Sequence, residues 1–377
     1  MSNAIAFIDL QAQRRRLGEP LNQAIAKAVE GGQWIMGPQV AEFEKQLADF
    51  AGVKHAIACA NGTDALLIVL RAWNVGPGDA VFVPAFTFAA SAEVVALVGA
   101  TPVFVDVFED TYNIDPASLE AAVAMVRREG KLRPRIVMPV DLFGQSADYL
   151  ALEPIVQREQ LLMLCDAAQG FGALYQGNRC GGIGDAAATS FFPAKPLGCY
   201  GDGGASFTND DALADLLRSI RIHGQGADKY ENVRIGVNSR LDTIQAAILI
   251  EKLKIFSEEI EMRDVVARRY SEALGRSNRI RPPRVIDCAQ STWAQYTIQV
   301  PDRDRLAADL KAKGIPTAIY YPTPLSKQKG YAHYPSAGTP VSERIGKTVI
   351  SLPMHPYLDA ATQDKIIAAV LESVGSA

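Results

Sequence analysis

The feature that most constrains the fold is a series of seven short apolar runs between residues 55 and 208. In chain order they read HAIACA, AVFVPAF, TPVFVDV, RIVMPVDLF, LLMLCDAA, AAATSFF and GASFT. Each run is apolar almost throughout, which is typical of strands that are buried on both faces of a sheet. The segments between them have helical composition and spacing, as at 63–73, 89–98, 116–129 and 148–159. This alternation predicts an α/β fold with a mostly parallel seven-stranded sheet covered by helices.

A second, smaller group of elements is predicted after the sheet. Helical patterns occupy 209–222 and about 240–274. Beyond them we expect the strands WAQYTIQV and TAIYY and helices at 302–313, 340–348 and 360–374. The length of the chain allows one large core and a smaller one. We therefore predict a large domain over 1–255, which includes the N-terminal segment, and a smaller C-terminal α/β domain over 256–377.

Charge and composition argue against several classes of protein. The 377 residues carry a formal net charge of −4 with no basic block, so nucleic acid is not an expected partner. The five cysteines lack CxxC spacing and the four histidines lie far apart, so no metal site is predicted. Neither a signal peptide nor an apolar run long enough for a membrane span is evident, so we expect a cytoplasmic protein with no membrane partner and reduced thiols.

Polar side chains follow most of the predicted strands, at the edge where open parallel sheets bind their ligands. They are Asn61-Gly62-Thr63, Thr87-Phe88, Asp106, Asp141, Asp166 and Lys195. Polar residues also begin ordinary loops, so each of these positions alone has a structural explanation as well.

The segment ANGTDALLIVL (60–70) is typical of a strand, a tight turn and a helix. Gly62 permits the close turn, and Thr63 begins a helix whose free N–H groups and dipole suit a phosphate. The alternative is plain capping of the helix by Asn61 or Thr63. The sequence contains no GxxxxGK[ST] loop and no GxGxxG after a strand, which disfavours triphosphate and dinucleotide sites.

Two charged residues lie in apolar surroundings. In LLMLCDAAQG (161–170), Asp166 ends an almost wholly apolar strand, and a buried carboxylate needs a cationic or hydrogen-bonding partner. It is either a structural cap on the next turn or the partner of a protonated ring nitrogen. Lys195 lies in FFPAKPLGCYGDGGA, after two phenylalanines and a proline. It is either an ordinary loop lysine or a desolvated amine for covalent chemistry.

Pyridoxal phosphate needs a lysine, a carboxylate for its ring nitrogen, a phosphate cradle and a stacking side chain. Lys195 and Asp166 supply the first two and are the predicted catalytic residues. The cradle would consist of Gly62, Thr63 and Ser190, and Phe88 would stack on the ring. The parts of one cofactor site therefore fall at the same predicted sheet edge.

Nine longer motifs extend this pattern from end to end of the chain. They are FIDLQAQ (7–13), GGQWIMGPQV (31–40), CANGTDAL (59–66), VPAFTFAASAEVV (83–95), DAAQGFGA (166–173), SFFPAKPLGCYGDGGA (190–205), GVNSRLDTIQAAIL (236–249), YYPTPL (320–325) and SLPMHPYL (351–358). Through them the whole chain resembles the DegT/DnrJ-type sugar-nucleotide aminotransferases, a branch of the fold-type I pyridoxal-phosphate transferases.

The resemblance implies roles for the matching positions. Lys195 would join the cofactor as an imine, Asp166 would pair with the pyridine nitrogen, and Gln169 would lie beside the ring and its hydroxyl. Some relatives carry histidine in place of the lysine and perform dehydration, so Lys195 favours transamination. The resemblance also implies a homodimer with shared active sites, in which Asn238 reaches the phosphate of the other subunit.

KPLGCYGDGGA and GVNSRLDTIQAAIL most resemble the branch that aminates the 3-keto group of UDP-2-acetamido-2-deoxy-3-oxo-glucuronic acid, with glutamate as donor, for cell-surface polysaccharide precursors. The implied substrate contacts are Gly32, Trp34, Ala194, Arg240, Tyr320 and Tyr321. Arg240 would bind the sugar carboxylate from the partner subunit, unless it only pairs with an acid such as Asp242.

Three of these positions depart from the pattern of that branch. Trp34, Ala194 and Tyr320 stand where a smaller aromatic residue, a serine and a histidine are usual. The sugar is therefore open, and a dTDP-3-keto-6-deoxyhexose aminotransferase is the alternative. A pyridoxal-phosphate-binding regulator without turnover and a nicotinamide dehydrogenase are more distant alternatives. The former lacks an evident DNA-binding module and the latter lacks its glycine fingerprint.

Overall fold

The computed structural model describes residues 4–228 and 230–375. Its helices are α1 (Leu10–Glu30), α2 (Pro38–Ala51), α3 (Gly62–Ala72), α4 (Ala90–Leu97), α5 (Pro116–Glu129), α6 (Tyr149–Glu159), α7 (Asp211–Ile220), α8 (Thr243–Leu274), α9 (Arg303–Ala312), α10 (Pro340–Ile345) and α11 (Ala360–Val374), with short 3₁₀ helices at Leu142–Gly144 and Leu325–Lys327. Its strands are β1 (His55–Cys59), β2 (Asp79–Pro84), β3 (Thr101–Val105), β4 (Arg133–Val137), β5 (Leu162–Asp166), β6 (Leu174–Tyr175), β7 (Asn178–Arg179), β8 (Ala186–Ser190), β9 (Gly204–Thr208), β10 (Ala289–Gln290), β11 (Tyr296–Gln299) and β12 (Val349–Leu352).

A seven-stranded sheet in the order β1-β9-β8-β5-β4-β2-β3 forms the centre of the fold. The pairings from β8 through β5, β4 and β2 to β3 are all parallel. β9 runs antiparallel to both of its neighbours, β1 and β8. Each of the seven apolar runs overlaps one strand of this sheet, so the predicted α/β fold with a mostly parallel seven-stranded sheet is confirmed.

Helices cover both faces of the sheet because neighbouring strand residues point to opposite sides. In β2, Phe82 packs into one apolar core, and Val81 and Val83 pack into the other. α2, α5, α6 and the first half of α8 pack into the core of Phe82, whereas α3, α4 and α7 pack into the opposite core. Both faces are therefore buried, which explains why these strands read as continuous apolar runs.

A third core lies around the antiparallel pair β11–β12, with α9, α11 and the second half of α8. Along α8, Phe256 and Ile260 still pack beneath the large sheet, whereas Val266 and Tyr270 belong to the third core. The boundary at 255/256 stays a prediction. Within the described ranges, none of the helices combines the length and the apolar character that crossing a membrane would require.

The predicted strand TAIYY is wrong. Ala318 forms one isolated bridge with Ser351, and no strand follows it over the described residues 317–321. Tyr320 and Tyr321 turn toward the carboxyl edge of the large sheet, where they line a cavity. Aromatic composition favours a strand locally, but contacts with the large domain decide the conformation here.

Candidate active site

A cavity of about 660 Å³ opens beyond the carboxyl ends of β1, β2, β5 and β8. The predicted residues that line it are Gly62, Thr63, Phe88, Asp166, Gln169, Ser190, Ala194, Lys195, Tyr320 and Tyr321. They come from the turn after β1, the segment after β2, the end of β5, the loop after β8 and the segment before β12. Parallel strands thus bring together side chains that are more than 250 residues apart in sequence.

The turn after β1 packs tightly against the end of β8. A Cβ atom on Gly62 would lie 2.6 Å from the Cβ of Ser190, so only glycine fits there. The side chain of Asn61 caps α3 by accepting a hydrogen bond from the Asp64 N–H at 2.8 Å. Capping by Asn61 and a phosphate cradle are compatible, because the first turn of α3 and the Ser190 hydroxyl both face the cavity.

Asp166 is buried at the end of β5, and only 5% of it is exposed. The Ser91 hydroxyl donates to its Oδ2 at 2.8 Å, and the Ala168 N–H donates to its Oδ1 at 3.1 Å. Burial raises the pKa of this carboxyl, and the charge of Lys195 opposes the increase. A cationic group in the cavity would therefore stabilise the carboxylate further.

Lys195 is half-buried in the loop after β8, and its backbone N–H donates to the Phe192 carbonyl at 2.8 Å. Burial lowers the pKa of its amine, whereas the charge of Asp166 raises it. A lowered pKa increases the fraction of neutral, nucleophilic amine at neutral pH. The cavity position beside Asp166 fits the desolvated amine rather than an ordinary surface lysine.

Gln169 connects the large sheet to the segment before β12. Its Oε1 accepts a hydrogen bond from the Phe143 N–H at 2.8 Å, and its Nε2 donates to the Tyr321 hydroxyl at 3.2 Å. The ring of Phe88 lies 6.3 Å from the ring of Tyr321 and is tilted by 39° to it. Phe88 is 56% exposed, so one aromatic face is open at the mouth of the cavity.

The remaining predicted site residues, Gly32, Trp34, Asn238 and Arg240, are not among the described residues that line the cavity of a single chain. Trp34 is 56% exposed, and its indole N–H donates to the Val29 carbonyl at 3.1 Å. Asn238 is exposed and pairs through its backbone with Ile222. Their participation in a site stays a prediction.

Two polar strand-end residues do not face the cavity. Asp106 accepts hydrogen bonds from the backbone N–H groups of Val341 and Ser342, both at 2.8 Å, and thus holds the start of α10. Asp141 accepts from the Ala147 N–H at 2.9 Å and from the Tyr149 hydroxyl at 2.6 Å. For these two residues the structural alternative holds, because nearby segments use their carboxylates as acceptors.

Sequence reasoning missed other parts of the site. Ser91, fully buried in α4, holds Asp166, and its signal was a hydroxyl within the apolar helix ASAEVVAL. Asp64, Phe192, Asp202 and Gln295 also line the cavity. Gln295 immediately precedes β11, and no local motif marks it. No group of three or more metal-ligating side chains occurs in the part of the chain that is described.

Comparison with known proteins identifies the family of the chain. Residues 15–371 match the DegT/DnrJ/EryC1/StrS aminotransferase family. The chain is 50% identical over 367 residues to the UDP-2-acetamido-2-deoxy-3-oxo-D-glucuronate aminotransferase of Pseudomonas aeruginosa. The aligned residues make up 97% of this chain and 99% of that protein.

Solved structures are similar over almost the whole length. A DegT/DnrJ/EryC1/StrS aminotransferase from Brucella abortus has a TM-score of 0.97 and 55% identity, with 99% of this chain and all of that chain covered. NtdA from Bacillus subtilis, solved with bound cofactor PMP, has a TM-score of 0.87 and 29% identity, with 95% and 82% covered. The chain therefore belongs to the DegT/DnrJ/EryC1/StrS aminotransferase family and is a pyridoxal-phosphate-dependent aminotransferase.

Proposed function

We propose that the chain transfers the amino group of glutamate to the 3-keto group of UDP-2-acetamido-2-deoxy-3-oxo-D-glucuronate. The observation that carries the proposal is the 50% identity with the Pseudomonas aeruginosa enzyme of that name, over nearly the full length of both proteins. Bound pyridoxal phosphate supplies an electron sink for the exchange of nitrogen between an amino acid and a ketone.

The residues of the cavity fit this cofactor. The close approach of Gly62 to Ser190 forms a cradle that a Cβ atom at residue 62 would fill. Gly62, Thr63 and Ser190 would hold the phosphate, and Phe88 would cover the ring. Asp166, a buried carboxylate with one hydrogen bond to each oxygen, would pair with the ring nitrogen.

Lys195 would bind the cofactor covalently and afterwards carry the proton. Its amine must be neutral to attack a carbonyl carbon or to accept a proton from the amino-acid α-carbon. Burial supplies this condition by lowering the pKa of Lys195. The negative charge of Asp166 raises the pKa of Lys195. A cation that neutralises Asp166 would therefore further favour the neutral amine.

We further propose that the active unit is a homodimer in which Asn238 and Arg240 act in the site of the other subunit. The two segments that carry the unplaced site residues also expose large apolar side chains. Trp34 and Ile35 are 56% and 51% exposed, and Ile235 is 79% exposed. Large apolar groups exposed in this way are typical of a surface that a second copy covers. Arg240 would then bind the sugar carboxylate through two parallel hydrogen bonds.

A panel of 3-keto nucleotide sugars with glutamate, assayed on wild type and Arg240→Ala, tests the substrate. We expect Arg240→Ala to raise the KM for the 3-oxo-glucuronate about 10- to 100-fold, because a charged hydrogen-bond pair is lost. Arg276→Ala, which removes a solvent-exposed arginine at the end of α8, is the matched control.

Other outcomes of the panel would contradict the proposal. Faster amination of a dTDP-3-keto-6-deoxyhexose, insensitive to Arg240→Ala, would favour the deoxyhexose enzyme. Conversion of no sugar, with no glutamate-dependent change in cofactor absorbance, would favour the regulator. Light scattering on the purified protein measures the dimer independently of activity.

A further inference from the structure

α8 carries a lysine in the interior of the protein. Lys252 is 1% exposed, and its Nζ donates a hydrogen bond to the Gly198 carbonyl at 2.6 Å. The same ammonium lies 4.4 Å from the centre of the Tyr200 ring. A buried ammonium has a large desolvation cost, which its hydrogen-bonding and aromatic partners must offset. Both partners belong to the loop that carries Lys195.

The polar residues Gln245, Lys252 and Glu259 follow one another on α8 at intervals of seven residues, which places them on one face of the helix. Gln245 also holds the loop, because its Oε1 accepts a hydrogen bond from the Tyr200 N–H at 2.8 Å. Two side chains on the same helix face therefore bind the loop at Gly198 and Tyr200, three and five residues after Lys195.

The loop folds back on the segment that precedes Lys195. A Cβ atom on Gly198 would lie 2.5 Å from the Pro193 carbonyl oxygen, and the Cys199 N–H donates to the Phe191 carbonyl at 2.8 Å. Holding the Gly198 carbonyl thus restrains both sides of Lys195. Glycines at 198, 201, 203 and 204 give this segment high backbone entropy when it is free, so an external tether is needed to fix it.

Glu259 lies one interval further along α8 and is also 1% exposed. Its carboxylate accepts a hydrogen bond from Gln13 Nε2 at 2.9 Å and another from the Tyr357 hydroxyl. Its negative charge raises the pKa of Lys252, whereas burial lowers that pKa more strongly, to about 8. Glu259 therefore compensates the buried ammonium and is itself held by α1 and by the segment after β12.

We infer that Lys252 is a positioning residue for Lys195: it fixes the loop over 193–201 through the Gly198 carbonyl. The inference rests on the proposed role of Lys195 in catalysis. Lys252 does not line the cavity, so it acts through the loop and not on the reacting atoms.

Hydrogen exchange on the cofactor-free chain tests the tether without reference to catalysis. Lys252→Met keeps an unbranched apolar side chain, one atom shorter than that of lysine, and removes the donor. We expect the Lys195 and Cys199 amides to exchange at least about tenfold faster in this variant, and the amides of the central sheet to be unchanged. Lys254→Met, two residues away at a lysine whose side chain is 59% exposed, should exchange like wild type. Equal exchange in Lys252→Met and wild type would overturn the inference.

Steady-state kinetics of the cofactor-loaded enzyme test positioning. We expect Lys252→Met to lower kcat about 10- to 100-fold and to leave KM for both substrates within about threefold, because displacement of a reacting group affects the chemical step. Wild-type kcat in a variant with a loosened loop would overturn the positioning role. If wild type itself is not joined to pyridoxal phosphate at Lys195, as measured by mass after borohydride reduction, the proposed function fails while the exchange result stands.

Lys252→Gln is the second test variant, for use if Lys252→Met does not fold. Its amide nitrogen lies one bond short of the lysine Nζ, so it is polar but cannot reach the Gly198 carbonyl without movement of the loop. We expect the same local increase in exchange and the same selective loss of kcat. A folded Lys252→Gln protein with wild-type values for both would also overturn the inference.

Discussion

Asp141 and Asp166 follow neighbouring strands of the same sheet, and their backbones are joined by a hydrogen bond from the Asp141 N–H to the Asp166 carbonyl at 3.0 Å. Both carboxyls are buried, and burial raises the pKa of each. Asp141 nevertheless accepts hydrogen bonds from the Ala147 N–H and the Tyr149 hydroxyl. Asp166, in contrast, lines the same cavity as Lys195. Position at a strand end therefore does not decide the role of a carboxylate; the groups that face it do.

Gly170 shows how closely these two regions approach. A Cβ atom on Gly170 would lie 2.3 Å from the Cβ of Asp141, so the chain after Asp166 passes directly over its neighbour. Asp141 is thereby covered, and Asp166 keeps access to the cavity. Substitutions and a pH titration at these carboxylates and at Lys195 test this difference.

Loss of the amine opposite Asp166 should have the largest effect. We expect Lys195→Ala to lower kcat by about 10³-fold or more, because both the covalent anchor and the proton carrier are removed. Steady-state turnover with glutamate and the keto sugar measures this, and the absorbance of the bound cofactor should also change. Turnover at the wild-type rate would refute the assignment of Lys195.

Neutralising Asp166 should have the next largest effect. Asp166→Asn keeps the shape of the side chain but cannot hold a proton on the ring nitrogen, so we expect kcat to fall about 10²- to 10³-fold. Thermal unfolding followed by circular dichroism controls for the fold. A decrease of less than about threefold in a folded variant would place Asp166 with Asp141 among the structural carboxylates.

Asp141 should show the opposite pattern. Asp141→Ala leaves the Ala147 N–H and the Tyr149 hydroxyl without their acceptor, so we expect the free energy of unfolding to fall by about 1–3 kcal/mol. The kcat of the folded enzyme should stay within about threefold of wild type. Urea denaturation at pH 7 and turnover at a temperature where the variant is folded measure both quantities. A large loss of kcat without loss of stability would contradict the comparison.

The smallest effect concerns pH. Burial raises the pKa of Asp141 to about 6 from an ordinary value of 3.8, so the folded chain binds this proton more readily than the unfolded chain. The stabilisation is present in full below pH 3.8 and is lost as pH rises through 6. Wild type should therefore gain about 2 kcal/mol relative to Asp141→Asn between pH 7 and pH 4.5. Parallel pH profiles of unfolding for the two proteins would disprove this.

Local patterns predicted the parts of the site that depend on short spacing. The turn Asn61-Gly62-Thr63, the apolar strand ending at Asp166 and the lysine in a glycine-rich loop are each readable within about ten residues. The sequence also marks Lys252, Glu259 and Arg263, since these charged residues occupy core-facing positions of a helix whose buried neighbours are mostly apolar. Gln295 reaches the site through folding of a distant segment, so local sequence does not mark it.

The sequence by itself determined the fold class, the lysine–carboxylate pair and the likeness to a family. Strands buried on both faces require apolar runs, and the polar residues at the strand ends are close to those runs in sequence. Only the tertiary structure decided the antiparallel direction of β9, the diversion of Asp106 and Asp141 to structural roles, and the tether from Lys252 to the loop of Lys195. Each of these depends on contacts between segments far apart in the chain, and such contacts are fixed by packing of the whole molecule and not by local propensity.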